Sequence, residues 1–131
     1  SLSWQDEEWL KPGCPKTALG NWTANNPANT KLQSLSINNN QVIYTSQSGE
    51  GQQFKIIKSN SDLKNPYLEM KVQSFNKEDK FVLKIRPHLV QTNDKEQKKD
   101  FNCLIKVFRY KNEKHAKAEK YSGWNIYRLS K

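Results

Sequence analysis

Residues 80–88 read KFVLKIRPH, and the alternation in them decides the fold. Phe81, Leu83 and Ile85 fall on one side of an extended chain, with Lys84 and Arg86 on the other. Three more stretches share this period of two: QQFKIIKS at 52–59, YLEMKVQSF at 67–75 and NCLIKVFRY at 102–110. Phe54, Ile56, Leu68, Met70, Val72, Ile105 and Val107 extend the apolar side, and Lys55, Lys71 and Lys106 extend the polar one. A parallel sheet covered on both faces would show unbroken apolar runs, so the pattern predicts an antiparallel sheet with one wet face.

Outward from this block, the chain divides into further short strands separated by turn residues. Leu19–Thr23, LQSLSI with VIYTSQ across an NNN turn, and SGWNIYRLS at the end bring the count to seven or eight. The fold expected is all-β, an antiparallel meander closing as a small barrel or a sandwich, in one domain over 1–131. A short helix is expected in the arm 1–13, where Ser3 caps, acids fill the first turn and Pro12–Gly13 stop it. Pro87 should end or edge its strand. KNEKHAKAEK at 111–120 has helix formers without an apolar stripe, which predicts a mobile hairpin loop or a solvated helical turn.

The 131 residues suffice for one core, and 34% hydrophobic residues make it a thin one. No apolar run is long enough to span a bilayer as a helix. Cys14 and Cys103 are the only cysteines. As a pair they would close a loop worth about 4–5 kcal/mol of chain entropy and indicate a secreted or periplasmic protein. As two reduced thiols, Cys103 would be a small core residue. A thin polar core favours the staple.

The sequence Leu19–Gly20–Asn21–Trp22–Thr23 resembles the G-x-W element that opens the first strand of lipocalins and their calycin relatives. The resemblance implies that Gly20 permits a tight turn and that Trp22 plugs one end of a barrel. It also implies a late basic residue over the indole, with Arg109 and Arg128 as candidates. The preceding helix, the meander and a cysteine link from the arm to a late strand share that layout. GWNIYRL is similar to the last strand of avidins, but their biotin-contacting tryptophans have no counterparts, which argues against biotin. The chain is shorter than a typical lipocalin and lacks the helix after the barrel, which argues against a large enclosed pocket.

Two candidate surfaces follow. Trp22, Tyr44, Phe54, Phe81, Trp124 and Tyr127 would line an interior able to accept a small apolar or sugar ligand, or would simply fill it. Lys55, Lys71, Lys84, Arg86 and Lys106 would form a basic outer face in a chain of net charge +9. Like charges on adjacent strands cost stability unless something neutralises them, which points to an anionic glycan or lipid headgroup. Few aromatics alternate with these lysines, which argues against nucleic acid. Lysines also discourage edge pairing, so a merely solvated sheet face competes with this reading.

An enzyme is not expected. His88 and His115 are the only histidines, one at a strand end and one in a loop, a poor basis for the paired acid–base chemistry of phosphodiester cleavage. No nucleophile elbow, phosphate loop or H-E-x-x-H motif is present, and two cysteines with two distant histidines make no usual metal site. No cofactor is expected. The expected function is extracytoplasmic binding of a small ligand or an anionic envelope component. The alternative is a secreted inhibitor or effector that docks a protein through the loops 91–100 and 111–122, and a nuclease ranks third.

Overall fold

A computed structural model describes residues 14–15, 17–25, 34–61, 68–75, 78–88 and 103–130. The expected arm helix and the loop 91–100 lie outside them. Eight strands follow one another: β1 Gly20–Ala24, β2 Ser34–Ile37, β3 Gln41–Thr45, β4 Gly51–Ser61, β5 Leu68–Ser74, β6 Lys80–His88, β7 Leu104–Tyr110 and β8 Gly123–Leu129. Each pairs antiparallel with its sequence neighbour, and β1 pairs with β8, so the sheet is a closed barrel rather than a sandwich. At the seam Trp22, Thr23 and Ala24 face Leu129, Arg128 and Tyr127 in register. Ser130 N donates to Asn21 O at 2.9 Å, and the Thr23 and Ser130 hydroxyls lie 2.6 Å apart.

The alternation read from the sequence becomes the barrel's inside and outside. Trp22, Leu35, Ile37, Val42, Leu68, Met70, Val72, Leu83, Ile85 and Ile105 are buried in one continuous core. Burying a large aliphatic side chain contributes about 1.5–3 kcal/mol, and this set fills the interior except at one end. β4 runs to Ser61, beyond the expected stretch. A register shift between Ile56 and Lys58 marks a bulge at Ile57, which leaves that side chain half exposed. β6 continues through Pro87 to His88, so the proline sits one residue inside the strand end.

One end of the barrel is closed by the chain before β1. Ala18 and Cys14 are buried in the core, and the Trp22 indole Nε1 donates to the Ala18 carbonyl at 2.9 Å. Gly20 enters β1 at φ +133°, a conformation that L side chains rarely adopt. The Cys14–Cys103 disulfide, with Cα atoms 5.6 Å apart, fastens this plug to the start of β7.

Of the two forms expected for 111–120, the helical turn is the one present, and it packs as a small lobe on the barrel. Asn112 caps a short helix, α1 (Glu113–Lys117), by accepting from His115 N at 2.9 Å. Ala116 is buried against Val82, Phe108 and Tyr110 on the barrel's outer wall. A single buried alanine makes no stripe in the sequence, and this is why the packing was not legible there.

Candidate binding site at the open mouth

Among the described residues, the end opposite the plug is open. β3, β5 and β7 finish there and β4, β6 and β8 begin, so their terminal inward side chains converge: Tyr44, Phe54, Ser74, Phe81, Arg109 and Tyr127. A cleft of about 360 Å³ lies between Gln52, Phe54, Ser74, Asp79, Phe81 and Arg109. A smaller one of about 120 Å³ lies between Tyr44, Arg109, Trp124, Asn125 and Tyr127. Arg109 borders both.

Arg109 is placed by strand parity. It follows Ile105 and Val107 on the inward side of β7 and pairs in register with the buried Leu83. Its carbonyl accepts from Ser122 N at 2.7 Å and from the Ser122 hydroxyl at 3.1 Å, which fixes the backbone at the lip. Its guanidinium lies 3.9 Å from the centroid of the Phe81 ring, a cation–π contact. Below it the rings are packed edge to face, Phe54 on Phe81 at 4.9 Å and Tyr44 on Phe54 at 6.1 Å. Burial pushes the Tyr44 phenol well above its ordinary range, and the Arg109 charge draws it part of the way back. Burial raises Tyr127 likewise, with a further rise from Tyr44. The two phenols are therefore neutral hydrogen-bonding groups beneath a fixed positive charge. Such a site can hold one anionic group at the lip and a small flat or apolar body beneath it.

Four of the six residues expected inside, Tyr44, Phe54, Phe81 and Tyr127, point into this mouth, and Trp124 borders only its smaller cleft. Trp22 is fully buried at the opposite, plugged end. Trp124 is on the outer surface and 46% exposed, because three positions separate it from the inward Tyr127 and a strand alternates every residue. Neither proposed partner lies over the Trp22 indole. Arg109 is at the far mouth, six residues along β7 from Cys103, on the order of 20 Å away. Arg128 pairs with the outward Thr23, so it leaves the wall on the side opposite Trp22. The role of Arg109 was nonetheless visible: in CLIKVFRY a cation continues the inward stripe of Ile105 and Val107.

The five cations of the expected basic face are dispersed. Lys84 is buried under α1, where its ammonium donates to Ala116 O at 2.8 Å and Glu119 Oε1 at 2.6 Å and lies 4.9 Å from the Tyr110 ring centroid. Lys71 is ion-paired with Glu113 at 3.4 Å. Lys55 is exposed on β4, between Gln41 and Gln73 in register. Arg86 and Lys106 stand side by side on β6 and β7. The lobe at 111–122 thus supplies the counter-ions for two of the five.

The histidines do not converge. His88 ends β6, six residues beyond the Val82 against which Ala116 of α1 packs, a separation on the order of 20 Å along the strand, and His115 is in α1. Among the described residues no group of three or more His, Cys, Asp or Glu is arranged to hold a metal ion. No described helix is long and apolar enough to cross a membrane. Fold and site together define an eight-stranded antiparallel barrel, plugged and filled at one end and, among the described residues, open at the other. The chain matches no protein-family model, no curated protein and no solved structure.

Proposed function

We propose that this is a non-catalytic, extracytoplasmic binding protein of lipocalin-like layout that takes a small ligand at the open mouth of its barrel. The observation that carries the reading is Arg109, an inward-facing cation stacked on Phe81 at the lip of a cleft of about 360 Å³. Beneath it the core is filled, so the ligand is small and enters only the upper layer. Its class follows from the lining: one carboxylate or comparable anion for Arg109, and a short apolar or aromatic body for Phe54, Phe81 and the two neutral tyrosines. The disulfide supports an oxidising compartment, where such a bond persists.

The test is calorimetric titration of the full chain with short fatty acids, aromatic carboxylates and neutral sugars, against wild type and Arg109→Met. The expected result is binding of a carboxylate class that weakens roughly tenfold in the variant, as one charge-assisted contact requires. If carboxylates fail to bind, or bind equally to both proteins, the mouth is not the site.

A further inference from the structure

Among the described residues, the larger cleft of the mouth is bordered by one carboxylate, Asp79, as well as by Arg109. Strand parity places Asp79: it stands two residues before Phe81 and four before Leu83, so it continues the inward stripe of β6 to the lip. Ser74 N donates to Asp79 O at 3.0 Å, which carries the β5–β6 ladder one pair past Gln73 and Lys80. Ser74 also pairs with Phe54, so Phe54, Ser74 and Asp79 form one inward row across three strands. Phe81 is one inward step below Asp79, about 7 Å along the strand, and the Arg109 guanidinium lies over its ring.

The two opposite charges share a cleft without being paired. Among the described residues, the ion pairs Lys71–Glu113 and Lys84–Glu119 include neither of them, and none joins Asp79 to Arg109. Both residues are exposed, so holding them apart costs the fold little. Phe75 adds an apolar wall at the same lip. It borders the cleft, is 53% exposed, and is anchored by its N donating to Gln53 O at 3.4 Å. A plain carboxylate here is attracted by Arg109 and repelled by Asp79, and a plain amine meets the reverse. A short molecule that carries both charges is attracted by both.

We propose that the mouth binds a free α-amino acid with an apolar side chain, its carboxylate on Arg109, its ammonium on Asp79 and its side chain against Phe54 and Phe75. The assignment rests on Arg109 as the carboxylate site and adds the group that discriminates among carboxylates. In an α-amino acid a single carbon separates the two charged groups. With one charge-assisted hydrogen bond of about 2.8 Å at each end, such a ligand spans a gap the size of one inward step. An amino acid with its charges at the two ends of a long chain overshoots that gap.

Calorimetric titration of the full chain compares ligands that share one phenyl body: phenylalanine, hydrocinnamate, which lacks the ammonium, and phenethylamine, which lacks the carboxylate. Wild type is expected to bind phenylalanine roughly tenfold more tightly than either, as one charge-assisted hydrogen bond requires. Asp79→Asn should bring phenylalanine down to the level of hydrocinnamate. Glu78→Gln removes the neighbouring exposed charge, which parity puts on the other side of the chain, and should leave the preference intact. Thermal melting verifies that both variants fold, and the ligand order in wild type decides the matter if Asp79→Asn does not. Hydrocinnamate or phenethylamine binding wild type as tightly as phenylalanine, Asp79→Asn weakening both acids alike, or Glu78→Gln abolishing the preference would overturn the proposal. In each of those cases, hydrocinnamate binding that is lost in Arg109→Met leaves the mouth standing as a carboxylate site. If neither acid binds wild type, both readings fail together.

Discussion

Replacing Glu119 removes one of the two carboxylates that tie the α1 lobe to the barrel, and two different substitutions there should give different answers. Glu119 Oε1 accepts from Lys84 Nζ at 2.6 Å, and Oε2 accepts from the Tyr110 hydroxyl at 3.2 Å. Lys84 is buried, so Glu119→Ala takes away its carboxylate partner, while the Ala116 carbonyl and the Tyr110 ring stay in place beside the ammonium. A charge-assisted bond contributes about 1.5–3 kcal/mol, and breaking a fully buried pair costs about 3–5. The Glu119 side chain is 57% exposed, which places the loss at the lower end, about 2 kcal/mol. Glu119 also sits at φ 57°, a left-handed position that costs a non-glycine residue about 1 kcal/mol. Glu119→Gly removes the same carboxylate and relieves that strain, so it should lose only about 1 kcal/mol. Lys84→Met removes the buried charge itself and fills its channel. The Ala116 carbonyl still accepts from residue 119 N at 3.2 Å, so this variant should stay within about 1 kcal/mol of wild type. Urea unfolding monitored by circular dichroism gives the order: Glu119→Ala least stable, then Glu119→Gly, with Lys84→Met near wild type. The reasoning fails if Lys84→Met is the most damaging, or if the alanine and glycine variants are equal.

Reducing Cys14–Cys103, or replacing both with serine, should cost up to about 4–5 kcal/mol of chain entropy, read as a lower melting temperature; a loss under about 1 kcal/mol would mean that the plug holds itself. Burial, then the Lys106 and Arg86 charges, lower the His88 pKa below its ordinary 6.5, so the unfolded chain takes up that proton first and the His88 contribution to stability is lost as pH falls below 6.5. An NMR titration should show the His88 midpoint below 6.5 in wild type and closer to it in Lys106→Gln; a midpoint unmoved by the substitution would contradict the contact. Tyr44 and Tyr127 have raised folded-state values, so their stabilising contribution is intact below pH 10 and declines above it as the unfolded chain ionises first. Absorbance at alkaline pH should show these two phenols ionising only with unfolding, and a fully reversible titration of all five tyrosines in folded protein would count against their burial.

The strands were legible because inward and outward residues differ so sharply in polarity. In β5, Leu68, Met70 and Val72 against Glu69, Lys71 and Gln73 leave one choice of face. Closure was not legible, since the seam pairs Thr23 with Arg128 through hydrogen bonds that carry no sequence mark. Part of the site was lost to side-chain type. Trp124 looks like core by composition and is outside by parity, while Arg109 looks like surface and points inward. The fate of Lys84 depended on a lobe distant in sequence, and strand alternation alone cannot show what covers an outer face.

The seam also sets how the barrel must come together. Seven of its eight strand pairings join neighbours in sequence and can form by local zippering, whereas β1 on β8 brings together residues such as Thr23 and Ser130, 107 positions apart. That long loop is the slow step of an up-and-down topology, and the disulfide spans nearly the same separation, 89 positions. Once Cys14 and Cys103 are joined, the search involves only the tails from Cys14 to Thr23 and from Cys103 to Ser130, a shortening worth about 1 kcal/mol of closure entropy. The bond that fastens the plug therefore also acts as a splint for the last strand pairing, and oxidation before folding should speed barrel closure as well as stabilise the finished protein.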